Sequence, residues 1–153
     1  AVPSTPKGLA RAVGQAHRQY ALAINQREEW SGHLWQERFS SFVMDETYLL
    51  AAVRYVELNP VRAGLVGRPE DYPWSSARAH LANKGDALVD VRPMLGRVPS
   101  WPEFLAVEDE GVEERMQKHA KSGRPAACIE FVLGLEKMFG RPMRPMKAGR
   151  KKR

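Results

Sequence analysis

Apolar positions recur at helical spacing along most of the chain. Leu9, Val13, Ala16, Tyr20 and Ile24 mark one stripe, so the spacing predicts an amphipathic helix over 6–25. Thr5-Pro6 fits its start, with a hydroxyl cap followed by proline at the first helical position. The other face carries Arg11, His17 and Arg18. The next segment, HLWQERFSSFVM, is rich in aromatic and β-forming residues and reads as a strand over 34–43, although its alternation is imperfect. Asp45 caps a second helix, with Glu46 in its first turn and Leu49, Leu50, Val53 and Val56 as its core stripe. Pro60 disfavours helical backbone at Asn59, so this helix is expected to end near Leu58-Asn59.

The pattern then becomes shorter in period. A polar loop, GRPEDYPW, leads to a short helix capped by Ser75 or Ser76 and running to Leu81. Asn83 to Asp86 form a turn, and ALVDV reads as a short extended segment. Trp101-Pro102 opens another short helix. Residues 109–120 form an exposed charged helix, ended by Gly123, and Pro125 opens a last helix. Cys128, Phe131, Val132, Leu135, Met138 and Phe139 are its expected buried face, while Trp35 and Trp74 are expected in the core.

Composition narrows the class. The 153 residues suit one domain, or one domain with a tail. Hydrophobic residues at 43% and charged residues at 27% can support a core. No apolar run approaches the ~18 residues of a membrane span, so no membrane partner is expected. The first residues lack a secretory pattern, and the single Cys128 excludes an internal disulfide; a cytoplasmic location is the expectation.

Charge is uneven. The net charge of +6 divides into +2 over 1–68, −4 over 69–136 and +8 over 137–153. The last segment, KMFGRPMRPMKAGRKKR, contains Pro142, Pro145 and Gly149 and cannot be one continuous helix. It reads as a cationic arm ending in Arg150, Lys151, Lys152 and Arg153, suited either to phosphates or to solubility.

Most recognisable chemistry is missing. His17, His33, His80 and His119 are scattered, without metal-pair spacing. There is no glycine-rich phosphate loop and no G-x-S-x-G elbow. The helix DETYLLAAVRYVELNP is the exception. Tyr48, Ala52, Tyr55 and Asn59 form a stripe beside the core face, with Tyr55 and Asn59 one turn apart. A tyrosine hydroxyl can attack phosphorus. A phenol holds its proton until near pH ~10, so it needs help, most simply from a divalent metal. An amide one turn on can offer that metal an oxygen. The residue types leave a second reading open: Tyr55 as a boundary tyrosine and Asn59 as an ordinary helix end before proline.

GHLWQERFSSFVMDE, then RYVELNPVRAGLV, then PEDYPWSSARAHL resembles the REP-associated tyrosine transposases, in the single-tyrosine branch of the His-hydrophobic-His superfamily. The similarity runs from about Pro3 to Leu81 and continues more weakly through SGRP and the last helix. The resemblance implies that Tyr55 is the nucleophile. It would attack a phosphodiester of single-stranded hairpin DNA, form a 5′-phosphotyrosine link and release a 3′-hydroxyl. Asn59 would complete a site for Mg²⁺ or Mn²⁺, and Arg62 would contact phosphate or serve as a structural ion-pair partner. Arg11, Arg18 and the tail cations would add DNA contacts.

The implied fold is α+β and predominantly helical: a truncated ferredoxin-like antiparallel sheet with helices over 1–82, a helical extension over 83–140 and a basic tail over 141–153. In relatives the two metal-binding histidines precede the segment matching AVPSTPKGL. None of the four histidines here stands in that place. The expectation is therefore a fragment or decayed copy that binds metal weakly and has little activity alone. Two other classes compete with it. One is a non-catalytic nucleic-acid-binding protein using the tail and helix faces; the other is an interaction domain built on a helical hairpin over 109–139. Dimers are common in the superfamily, yet some members of the subgroup are monomers, so a homodimer is one of two expected states.

Overall fold

The computed structural model describes residues 5, 7–35, 39, 41–107 and 111–145. Its described residues form two compact units, Ala1–Ser41 and Phe42–Arg153.

The first unit is built on α1 (Gly8–Glu28). The helix starts later than the Thr5-Pro6 signal, with Lys7 as cap and no side-chain cap bond, and the Thr5 carbonyl accepts from Gly8 N–H at 2.9 Å. It ends in left-handed backbone at Glu29, where Trp30 N–H returns to the Asn25 carbonyl. Asn25 Nδ2 donates to the Gly32 carbonyl at 3.0 Å and holds the following turn. Trp35 then folds back on the helix. Its indole N–H donates to the His17 carbonyl at 3.2 Å, and its ring stacks on His17 at 4.4 Å. No residue of α1 is buried.

The second unit contains α2 (Glu46–Arg62), a 3₁₀ turn (Pro69–Asp71), α3 (Ala77–Leu81), α4 (Arg92–Leu95), α5 (Trp101–Ala106), α6 (Val112–Ser122) and α7 (Ile129–Phe139). Val98, Trp101 and Leu105 form the core, and Leu50, Val53, Leu58, Leu81 and Phe104 pack against it. This core joins residues on both sides of position 82.

The expected antiparallel sheet is absent among the described residues. Their only strand-like pairing is an isolated parallel bridge between Met44 and Ala126. The described part of 34–43 is not strand, and residues 36–38 and 40 lie outside the description. The physical reason lies at the end of that segment. Val43 accepts from Ala126 N–H, Asp45 donates to the Ala126 carbonyl, and helix begins at once, so pairing stops after a single bridge. A strand without a longer partner leaves its backbone groups to water. ALVDV is likewise not strand: Asp86 caps it locally, accepting from the N–H groups of Leu88 and Val89.

Helix α2 differs from expectation in two ways. It runs through Pro60 to Arg62. Pro60 is buried near the end of the helix, where the one backbone bond it forfeits matters least. Its buried arc is also turned. Val56 is 63% exposed, whereas Glu57 is 1% exposed. The arc is centred on Leu50, Val53 and Glu57, which at ~100° per residue lies roughly 70° round from Leu49, Val53 and Val56.

The last helix is shifted too. It starts at Ile129, and Cys128 is an exposed cap residue whose N–H donates to Asp45 Oδ2 at 2.6 Å, so it is not core. Val132 is buried, but Phe131, Met138 and Phe139 are exposed, which narrows the expected buried face. Trp35 and Trp74 are also exposed rather than core. Within the second unit the tryptophan that fills the core is Trp101.

Candidate functional site

Tyr55 projects from the flank of α2 opposite the turned core arc and is half-buried. Arg62, two turns on, lays its guanidinium over the Tyr55 ring at 5.5 Å from the centroid. That distance is within reach of a cation–π contact. No carboxylate among the described residues pairs with Arg62, which is exposed. The phenol therefore stands beside an uncompensated cation, a setting that favours a phosphate oxygen.

Asn59 lies one turn after Tyr55 and is exposed. Its side-chain amide has no hydrogen-bond partner among the described residues. It lines a cavity of about 390 Å³ together with Val56, Leu65, Tyr72, Trp74 and Ser75, and Tyr55 is not part of that lining. The structure thus sets Asn59 against the YPWSS segment. Among the described residues no cluster of three or more His, Cys, Asp or Glu side chains could hold a metal ion.

Arg11 and Arg18 are exposed on α1, in the first unit. Arg18 borders a cavity of about 280 Å³ that also contains His17, Asn25, His33 and Trp35. Arg150, Lys151, Lys152 and Arg153 lie outside the described residues.

Beneath the Asn59 cavity is a polar cluster that the sequence pattern concealed. Glu57 is buried, and three side chains meet its carboxylate. Ser76 Oγ donates to Oε1 at 2.6 Å, His80 Nδ1 lies 2.7 Å from the same oxygen, and Trp101 Nε1 donates to Oε2 at 2.9 Å. The His80 ring nitrogen and the Glu57 oxygen share one hydrogen bond. Ser76 and His80 are four residues apart and reach Glu57 from one face, Ser76 at the start of α3 and His80 within it. Ser76 spends its hydroxyl here rather than on capping; Ser75 Oγ accepts from Ala77 N–H instead. The fully buried Ala77 leaves room for the close approach. His80 in turn packs on Trp101 at 4.3 Å between ring centroids.

The cluster ties RYVELNP to YPWSSARAH. It has a sequence signal: Glu57 falls on the same helical arc as Leu50 and Val53, where a carboxylate must be paired to be buried. A buried cluster whose hydrogen bonds are internal is a positioning device. It fixes α2 against α3 and thereby sets where Asn59 and Trp74 stand.

No family model matches this chain, and neither a curated protein nor a solved structure does.

Proposed function

We propose that this chain is a single-tyrosine DNA strand-transfer protein of the REP-associated transposase type, acting on single-stranded DNA in the cytoplasm. One observation carries the reading: the unpaired Arg62 guanidinium lies over the ring of half-buried Tyr55, within the segment whose sequence resembles the family's nucleophile motif. In this reading the Tyr55 hydroxyl oxygen attacks a backbone phosphorus and gives up its proton. The bond from phosphorus to the 3′ oxygen breaks, and that oxygen leaves as a hydroxyl after taking a proton. A 5′-phosphotyrosine link remains. The reverse step, with another strand's 3′-hydroxyl as nucleophile, joins DNA and frees Tyr55. Arg62 offsets negative charge on the phosphoryl oxygens as the bond order changes. A divalent cation would polarise the same phosphoryl group. No step is assigned to it.

The test is incubation with hairpin-bearing single-stranded oligodeoxynucleotides and Mg²⁺ or Mn²⁺, read on a denaturing gel. Only a trace of covalent protein–DNA adduct is expected from this chain alone, and that trace should disappear in Tyr55→Phe; an adduct that survives Tyr55→Phe overturns the reading, and an abundant one overturns the expected loss of activity. DNA binding without any adduct would select the non-catalytic nucleic-acid-binding reading instead.

A further inference from the structure

Trp74 is 86% exposed, although an indole is among the most apolar surfaces a protein has. No ring of a described residue packs on it. It stands at the cavity shared with Asn59, Val56, Leu65 and Tyr72. One polar group in this wall lacks a partner: the Asn59 side-chain amide makes no hydrogen bond among the described residues. The cavity thus offers an exposed aromatic platform, apolar walls and an amide that can donate and accept.

An adjoining cavity of about 330 Å³ shares Tyr72 and Ser75 and is bordered by Arg78 and Lys84. Arg78 Nε donates to the Glu70 carbonyl, and neither cation has a carboxylate partner among the described residues. Asp86 also borders this cavity, and the N–H groups of Leu88 and Val89 hold its carboxyl below the usual range, so it faces the two cations as one anion. Arg78 and Lys84 together leave a net positive border that can meet a phosphate.

We propose that the Trp74–Asn59 cavity is a subsite for one unstacked nucleobase of single-stranded DNA. Trp74 stacks on the base, Asn59 contacts its hydrogen-bonding edge, and the neighbouring phosphate lies toward Arg78 and Lys84. Stacking on an aromatic side chain accepts every base, and an amide adds preference among them. The choice of DNA rests on the proposed strand-transfer reading; the base-binding chemistry does not.

Fluorescence anisotropy of a labelled single-stranded 12-mer, beside a 12-mer of the same length with abasic sites throughout, separates base contacts from phosphate contacts. The full chain is expected to prefer the base-bearing strand. Trp74→Ala should weaken that strand's binding by about tenfold or more and leave the abasic strand's affinity unchanged. Trp74→Phe should keep most of the affinity, because it keeps a stacking face. Circular dichroism matching the wild type would confirm that Trp74→Ala is folded, as its exposure predicts. Equal binding of the two strands by the wild type, or wild-type affinity in folded Trp74→Ala, overturns the proposal. The covalent adduct assay is separate. Adduct formation with wild-type binding by Trp74→Ala removes the base subsite and leaves the strand-transfer reading. A Trp74-dependent preference for bases without any adduct does the reverse.

Discussion

The Trp101 indole donates its single N–H to Oε2 of Glu57 at 2.9 Å, joining α5 to α2 across 44 residues of sequence. The contact lies in the core, where a polar group without a partner is costly. With Ser76 and His80 it completes the set of partners around Glu57. Removing the carboxyl leaves the three partners unmet in a closed space. Glu57→Ala is therefore expected to destabilise the second unit by about 3–5 kcal/mol, as for a broken buried pair. Trp101→Phe keeps most of the ring and leaves Oε2 of Glu57 without its donor, a cost of roughly 1–3 kcal/mol before any packing loss. Urea unfolding followed by circular dichroism checks both. A Glu57→Ala protein within ~1 kcal/mol of wild type would contradict the structural role argued for this cluster.

Asp45 does two jobs at one junction. Its Oδ1 accepts from Tyr48 N–H at 2.9 Å and caps α2, while its Oδ2 accepts from Cys128 N–H at the start of α7. Burial pushes this carboxyl up, but the N–H groups of Tyr48 and Cys128 outweigh it and hold the group below its ordinary 3.8. A folded-state value lowered in this way contributes stability above the unfolded pKa and loses it as pH falls through the folded one. Asp45→Ala should thus cost about 1–2 kcal/mol at pH 7, in the range of a lost cap. The gap between variant and wild type should narrow at pH 3. A gap that stays constant or widens on acidification would show that the carboxylate is not what joins the two helices.

The legible parts of this fold were local. The Asp45 cap, the short helix ending at Leu81 and the stop at Gly123 are signalled by neighbouring residues and appear in the structure. What sequence pattern misplaced depended on partners far along the chain. Val56 is apolar and correctly spaced for the core, yet the arc that faces Trp101 is one residue round and includes a glutamate. The strand over 34–43 had suitable residue types, but Ala126 gives its end only one bridge. The apolar character of Trp74 and Cys128 points to the core, and only the packing of the second unit leaves them outside. Tyr55 and Asn59 were visible as a pair one turn apart. That Asn59 would line a cavity with Trp74 could not be read from that spacing.

Glu136 fastens the root of the C-terminal segment. Its Oε1 accepts from Met143 N–H at 2.7 Å and Arg144 N–H at 2.9 Å, and Oε2 accepts from Arg144 Nε at 3.0 Å. These bonds, the two backbone ones foremost, pull the carboxyl from its ordinary 4.5 down to about 2. The sign is again that of a depressed acid: the anchor is complete above the unfolded pKa and is lost as pH falls toward 2. The Met143 and Arg144 amide resonances are expected to titrate together between about pH 4.5 and pH 2. Glu136→Gln should abolish that transition and speed amide exchange at both residues at neutral pH. Slow exchange that persists in Glu136→Gln would count against the anchor.

Beyond that anchor the chain carries five Lys and Arg residues in 146–153 and no acids. If these cations contact phosphates, their contribution comes from released counterions and does not depend on base identity. Each phosphate neutralised on a single strand adds about 0.7 to the slope of log affinity against log salt. Deleting residues 146–153 should flatten that slope by up to roughly 3.5 and weaken different sequences by the same factor. The preference for base-bearing over abasic strands should survive the deletion, because Trp74 and Asn59 remain. A truncated chain with an unchanged salt slope would show that the tail is free of the DNA. A slope that falls together with the base preference would place the tail at the nucleobase rather than along the backbone. Titrations at four or more salt concentrations, with two unrelated 12-mers, separate these outcomes.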